Sequence, residues 1–209
     1  MRKAQLLILP AALLLAACQP QAPEDEVAAT PSPAPAPESP AAGMEATDTT
    51  PPGEVHNMVS TTASATLAPT EGNEVAGRLE FAIVDGGIRI TGEVSGLAPG
   101  SEHGFHVHEN GDCSAPDGSS AGGHFNPAST AHGRVGEGEH HAGDSDNIVA
   151  NDQGVAAVDT LLRGATLGDG ESTEVIGRGV IVHADPDDYA TQPTGNAGAR
   201  LACGVIFGT

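Results

Sequence analysis

Between Val75 and Leu97 the chain alternates between apolar and polar positions. Leu79, Phe81 and Ile83 alternate with Arg78, Glu80 and Ala82, Asp85-Gly86-Gly87 breaks the run, and Ile88, Ile90, Gly92 and Val94 carry it on. A period of two sends successive side chains to opposite faces, so the pattern predicts two half-buried strands joined by a D-G turn. Further strand-like runs are Ser60–Leu67, His103–Glu109, Asn147–Ala150, Val155–Leu162, Gly179–Ala184 and Ala202–Phe207. With the hairpin they make about eight strands. No stretch sustains a helical period; Val155 to Arg163 comes nearest and stays ambiguous between helix and strand. Short runs with glycine and proline between them predict an all-β antiparallel sandwich or barrel. Two connections are long, roughly 110–146 and 184–199. Loops of that length usually carry function.

The pattern changes abruptly before Met58. Arg2 and Lys3 precede the apolar run Leu6 to Ala17, which reads as a secretory signal peptide over residues 1–17 and is too short to span a bilayer. It ends Leu15-Ala16-Ala17-Cys18, which resembles the lipobox of bacterial lipoproteins. That resemblance implies cleavage before Cys18, lipidation of its thiol and amine, and a membrane anchor. Gln19, rather than Asp, resembles an outer-membrane sorting signal, so the expected location is a bacterial outer membrane, facing the periplasm or the surface. Residues 19–57 hold nine prolines and seven acidic residues with no Lys or Arg. Such a segment buries too little apolar surface to offset its ordering entropy, so 18–57 is expected to be a disordered tether. His56 at its end is expected to be solvated. Residues 58–209 are the right length for a single folded domain.

Composition narrows what that domain can do. The chain carries a formal charge of −20, and residues 58–209 hold 21 acidic residues against six arginines and no lysine. Such a surface does not hold polyanions, which excludes non-specific nucleic-acid binding. Glycine at 28 and proline at 16 argue against a helix bundle.

The histidines gather where the long loops begin. His106 and His108 are two apart on a predicted strand and share a face. His124, His132 and His141 follow on the first long loop, with Asp144 three residues on, and His183 ends the apolar run Val180-Ile181-Val182. Imidazole-rich sites suit borderline ions, chiefly zinc and copper. Three histidines plus an aspartate fit a closed zinc site, and histidines without carboxylates suit copper. Seven candidate ligands exceed the need of one ion, so two ions or a shared ligand follow.

Three segments resemble a known family: His103-Gly104-Phe105-His106-Val107-His108-Glu109, Gly122-Gly123-His124-Phe125-Asn126-Pro127, and Gly195-Asn196-Ala197-Gly198-Ala199-Arg200-Leu201-Ala202-Cys203-Gly204-Val205-Ile206. Together they look like the signature segments of copper,zinc superoxide dismutase, in order over about residues 60–209. The resemblance implies an eight-stranded antiparallel Greek-key β-barrel with two long functional loops. It implies copper ligands His106, His108, His124 and His183, and zinc ligands His124, His132, His141 and Asp144, with His124 bridging the two ions. His140 competes with His141, but His141-x-x-Asp144 matches the family segment. Asp187 resembles the carboxylate that links the two sites through His106 and His132, with Asp188 its near rival. Arg200 matches the arginine that faces the copper and positions superoxide. His124 is expected to leave copper on reduction and to carry a proton. Cys113 and Cys203 are expected to form the disulfide that ties the metal loop to the arginine segment.

The implied reaction converts superoxide to dioxygen and hydrogen peroxide, with one copper and one zinc per subunit. The chain departs from the eukaryotic pattern in two places. The segment from Cys113 to His124 is longer, and the segment from His183 to Arg200 is shorter and lacks lysine. The oligomeric state stays open between a monomer and a homodimer. The rival function is a copper- or zinc-binding or delivery module without turnover. All seven ligands and Arg200 are present, which disfavours it.

Overall fold

The structure, a computed structural model, describes residues 61–209. The expected signal peptide, the expected lipidation site Cys18, the expected tether with His56 and the expected boundary at Met58 lie outside the described residues. Nine strands follow in order: β1 (Thr62–Pro69), β2 (Ala76–Val84), β3 (Gly87–Ser95), β4 (Glu102–His103), β5 (Phe105–His108), β6 (Ile148–Val149), β7 (Ala156–Leu162), β8 (Gly179–His183) and β9 (Arg200–Gly208). A 3₁₀ turn at Ser119–Ala121 is the one helical element among the described residues. Seven strands form an antiparallel sheet in the order β5-β8-β9-β1-β2-β3-β7, and β4 pairs with β6. The neighbours β9–β1 and β3–β7 are distant in sequence, as a Greek-key chain path requires.

The predicted hairpin forms as β2 and β3, with Leu79, Phe81, Ile88, Ile90 and Val94 buried and Arg78, Glu80 and Arg89 exposed. Ile83 keeps the inward register opposite Ile88 but stands 52% exposed beside the turn, past the end of the core. The ambiguous run near Val155 is strand β7, pairing along β3 from Val94 to Ile88.

Two predicted strands change. The run His103–Glu109 splits at Gly104, whose N–H donates to Asp185 O and whose carbonyl accepts from His183 N–H. A Cβ at Gly104 would meet Ala197 Cβ at 2.8 Å. The run Asn147–Ala150 shrinks to Ile148–Val149, because the Asn147 N–H is spent on the Tyr189 hydroxyl and its side chain on Asp187.

Strands β5 and β8 are buried on both faces. Phe105, Val107, Val180 and Val182 face the main core. Their alternate positions, His106, His108 and His183, are also buried, beneath the two long loops. Fold and site meet on this covered outer face.

Candidate metal centre

Backbone pairing sets the histidines in place. His106 and His108 project from one face of β5, and β8 lies alongside, with Phe105 opposite Val182. The first loop then adds a short third rail. His124 pairs with His108 as an isolated antiparallel bridge, Phe125 N–H donates to Val107 O, and Gly143 N–H donates to Phe125 O. Asp144 therefore arrives beside His124. On the other side, the β8–β9 ladder shifts by one residue after Val182–Ala202, so that His183 stands opposite Arg200 rather than Leu201. Such a bulge re-aims side chains, and here it sets a candidate ligand beside the predicted arginine.

Two groups of ligand atoms result, each with all its atoms within 4.8 Å of one another. The first is His106, His108, His124 and His183; the second is His124, His132, His141 and Asp144. His124 belongs to both. All seven residues are buried. The Nε2 atoms of His108 and His183 face each other at 3.2 Å. His106 Nδ1, His124 Nε2, His132 Nδ1 and His141 Nδ1 are buried without an aligned hydrogen bond, although His132 Nδ1 and His141 Nδ1 lie 3.1 and 3.3 Å from Asp144 oxygens. An unpaired buried polar atom costs about 1–3 kcal/mol, so four in one place call for a partner the protein itself does not supply. Metal ions of the copper and zinc kind fit that requirement.

Electrostatics agree with the donor set. Burial, then neighbouring imidazoles, push His108 and His183 well below the usual histidine range, and burial takes His124 down to about 4. These rings stay neutral, which is the form that binds metal. Burial alone would raise the Asp144 carboxyl, but the hydrogen bonds from the His124 ring and the His141 backbone N–H, with the His132 and His141 rings close by, hold it well below the carboxylate range. His132 goes the other way. Burial opposes its charge, yet it lies between Asp144 and Asp187, which lift it to about 9.

This sign gives a testable pH dependence. Below about 9 the His132 ring carries a proton that an ion must displace at Nδ1. Zinc affinity is therefore expected to rise with pH between about 6 and 8, with roughly one proton released per ion. Calorimetry in buffers of different ionisation enthalpy measures the release, and a pH-independent affinity would contradict it.

Residues 75–206 match the family model for copper/zinc superoxide dismutase. The chain belongs to that family. It is 43% identical over 147 residues to superoxide dismutase [Cu-Zn] 2 of Aquifex aeolicus, spanning 69% of this chain and 85% of that protein. It is also 43% identical over 142 residues to superoxide dismutase [Cu-Zn] 3 of Arabidopsis thaliana, over 64% and 84% of the two chains. A crystal structure of a SOD-like protein from Bacillus subtilis superposes with a TM-score of 0.62 at 37% identity, covering 68% of this chain and 96% of that one.

Within this superoxide dismutase domain the remaining predicted residues fall as follows. Asp187 is fully buried and accepts from His106 Nε2 at 2.7 Å and His132 Nε2 at 3.0 Å. Its rival Asp188 instead accepts from the backbone N–H groups of Ala190 and Thr191. His141 joins the second group, whereas His140 turns its Nδ1 to the His141 carbonyl and is only half-buried. Arg200 donates through Nη1 to Gly118 O and through Nη2 to Gly122 O. Gly122 O also accepts from His108 Nδ1 at 2.9 Å. Arg200 thus shares an acceptor with a candidate ligand, and it lines an open cleft of about 360 Å³ with Thr70, Asn73 and Ala199.

Sequence reasoning missed several supports. His103 is a buried histidine of another kind, its Nδ1 donating to His183 O at 2.7 Å. The Asn147 side chain pairs with both backbone groups of Asp187. Gly195 has φ 63°, and any Cβ there would overlap Asp187 Oδ1. The Gly-Asn-Ala-Gly run hinted at Gly195; nothing in the sequence singled out Asn147.

Cys113 and Cys203 form the expected disulfide, with Cα atoms 5.7 Å apart and a sequence separation of 90. It fastens the first long loop to β9, beside Ala121 and Ile181. Closing a loop of that length stabilises the fold by about 4–5 kcal/mol in the chain-entropy model. The C113S/C203S double variant is expected to lose most of that in denaturant unfolding of the metal-free protein. A loss near zero would show that the denatured chain gains little from the cross-link.

Proposed function

We propose that the chain is a superoxide dismutase held at a bacterial membrane through lipid on Cys18. The observation that carries the enzymatic part is the shared ring. His124 sits in both ligand groups, its Nε2 orphaned in the first and its Nδ1 on Asp144 in the second. Two superoxide anions and two protons become dioxygen and hydrogen peroxide. When bound, copper supplies a centre that accepts and returns one electron, and zinc supplies a charge without redox chemistry. His106, His108, His124 and His183 would hold the first ion, and His124, His132, His141 and Asp144 the second.

The protein's own groups do the rest. Arg200 stays cationic and presents a planar fork to a small anion. His124 Nε2 is the ring atom at which a proton can be held and handed on. Asp187 keeps His106 and His132 in the tautomers that leave Nδ1 open.

The test is to load the protein with copper and zinc, count the ions, and measure superoxide removal against a metal-free control. One of each ion per chain with removal is expected. Full occupancy without removal would favour the delivery module. The anchoring part rests on Leu15-Ala16-Ala17-Cys18, and a mature protein without incorporated labelled palmitate would reject it.

A further inference from the structure

We propose that Gln192 is a positioning residue for the second ligand group, gripping His132 by its backbone and so setting how long zinc is retained. The proposal rests on reading that group as the zinc site. The His132 N–H donates to Gln192 Oε1 at 2.8 Å, and Gln192 Nε2 donates to His132 O at 2.9 Å. One side-chain amide, 60 positions away, satisfies both backbone groups of a single residue, as a neighbouring strand would.

The same short segment fixes the ring. Asp187 Oδ1 accepts from His132 Nε2 at 3.0 Å, and a Cβ at Gly195 would lie 2.7 Å from that nitrogen. Backbone and ring of His132 are thus both set from residues 187–195, which leaves Nδ1 as the orphaned atom beside Asp144. The other members of the group are placed by different means. The His141 N–H is held by Asp144 Oδ2, and His124 by its bridge to His108. His132 is therefore the ligand whose position depends on the second long loop docking, and Gln192 makes the backbone part of that contact. The contact needs one donor and one acceptor on one side chain. An amide has both; a carboxylate lacks the donor.

Loaded wild type, Q192A and Q192E are challenged with excess EDTA. Zinc and copper retained at timed intervals, after the chelate is removed, are both counted by mass spectrometry. Q192A is expected to release zinc about 10- to 100-fold faster, in the range typical of a lost ligand support. Q192E, which keeps the acceptor but sets a carboxylate against the His132 carbonyl, is expected to release it at least as fast. Copper retention and the melting midpoint of the metal-free protein should not move. Unchanged zinc release overturns the proposal, as does equal loss of both metals or an equal fall in the metal-free midpoint, which would make Gln192 merely structural. Should Q192A fail to fold, Q192E decides on the same readouts. No arm uses superoxide, so loss of the dismutase assignment and loss of this one are separately visible.

Discussion

Arg200→Ala is expected to keep both metals and lose on the order of 10²-fold in superoxide removal at low substrate. The metals stay because Arg200 bonds to the Gly118 and Gly122 carbonyls and not to any of the seven candidate ligands. The rate falls because a domain with 21 acidic residues and six arginines must draw in an anion locally. Two other arginines that could have helped are committed elsewhere. Arg134 binds Asp146 and Glu137 and lies over Tyr189. Arg178 lies over the Phe125 ring and donates to Glu109 O. Arg200 also sits beside acids: Asp117 and Glu71 line its cleft. The attraction is therefore short in range, and the wild-type rate should fall with added salt while the variant's rate hardly responds. Stopped-flow superoxide decay with metal counts on the same samples tests both parts. An unchanged rate, or one that rises with salt in the wild type, would remove Arg200 from its role.

How much of this was legible beforehand depends on which force fixed each element. The β2–β3 hairpin was plain, because one face is core and the other water, and a period of two records that difference. Strands β5 and β8 were harder. Both faces are buried, so His106, His108 and His183 interrupt an apolar strand for reasons the core does not supply. Their meaning came from the family segments, and then from the covering loops. The loops themselves were legible only as length. Their paths depend on side chains satisfying backbone groups far away in sequence, such as Asn147 on Asp187 and Gln192 on His132. No periodicity encodes such contacts. The choice between Asp187 and Asp188 is of the same kind. Two adjacent carboxylates are equal in sequence, and the loop turn sends one to the imidazoles and the other to its own backbone.

Asp187 shows how much can hang on a group that would bind neither ion. Its two oxygens reach one ring in each ligand group, His106 through Oδ2 and His132 through Oδ1, and Oδ1 also accepts the Tyr189 N–H. As a carboxylate it accepts from both Nε2–H groups at once, which leaves Nδ1 as the atom of each ring that can offer its lone pair to a metal, in His132 once the proton there is displaced. Hydrogen bonds from those imidazoles outweigh burial and keep its carboxyl well below the usual range, so it remains an acceptor through the physiological span. Asp187→Asn preserves the shape and removes that symmetry. One amide atom becomes a donor and must face a ring nitrogen, which then gives up its proton at Nε2 and takes one at Nδ1, where the metal would bind. The variant is therefore expected to lose about 10- to 100-fold in affinity at one ligand group or both, although it differs from the wild type by a single isosteric exchange. Asp187→Ala should weaken both groups, since each ring loses its only described partner at Nε2. Chelator competition for each metal measures the loss, with circular dichroism of the metal-free variants as the control for folding. If Asp187→Asn holds copper and zinc as tightly as the wild type, the tautomers are fixed by something other than this carboxylate.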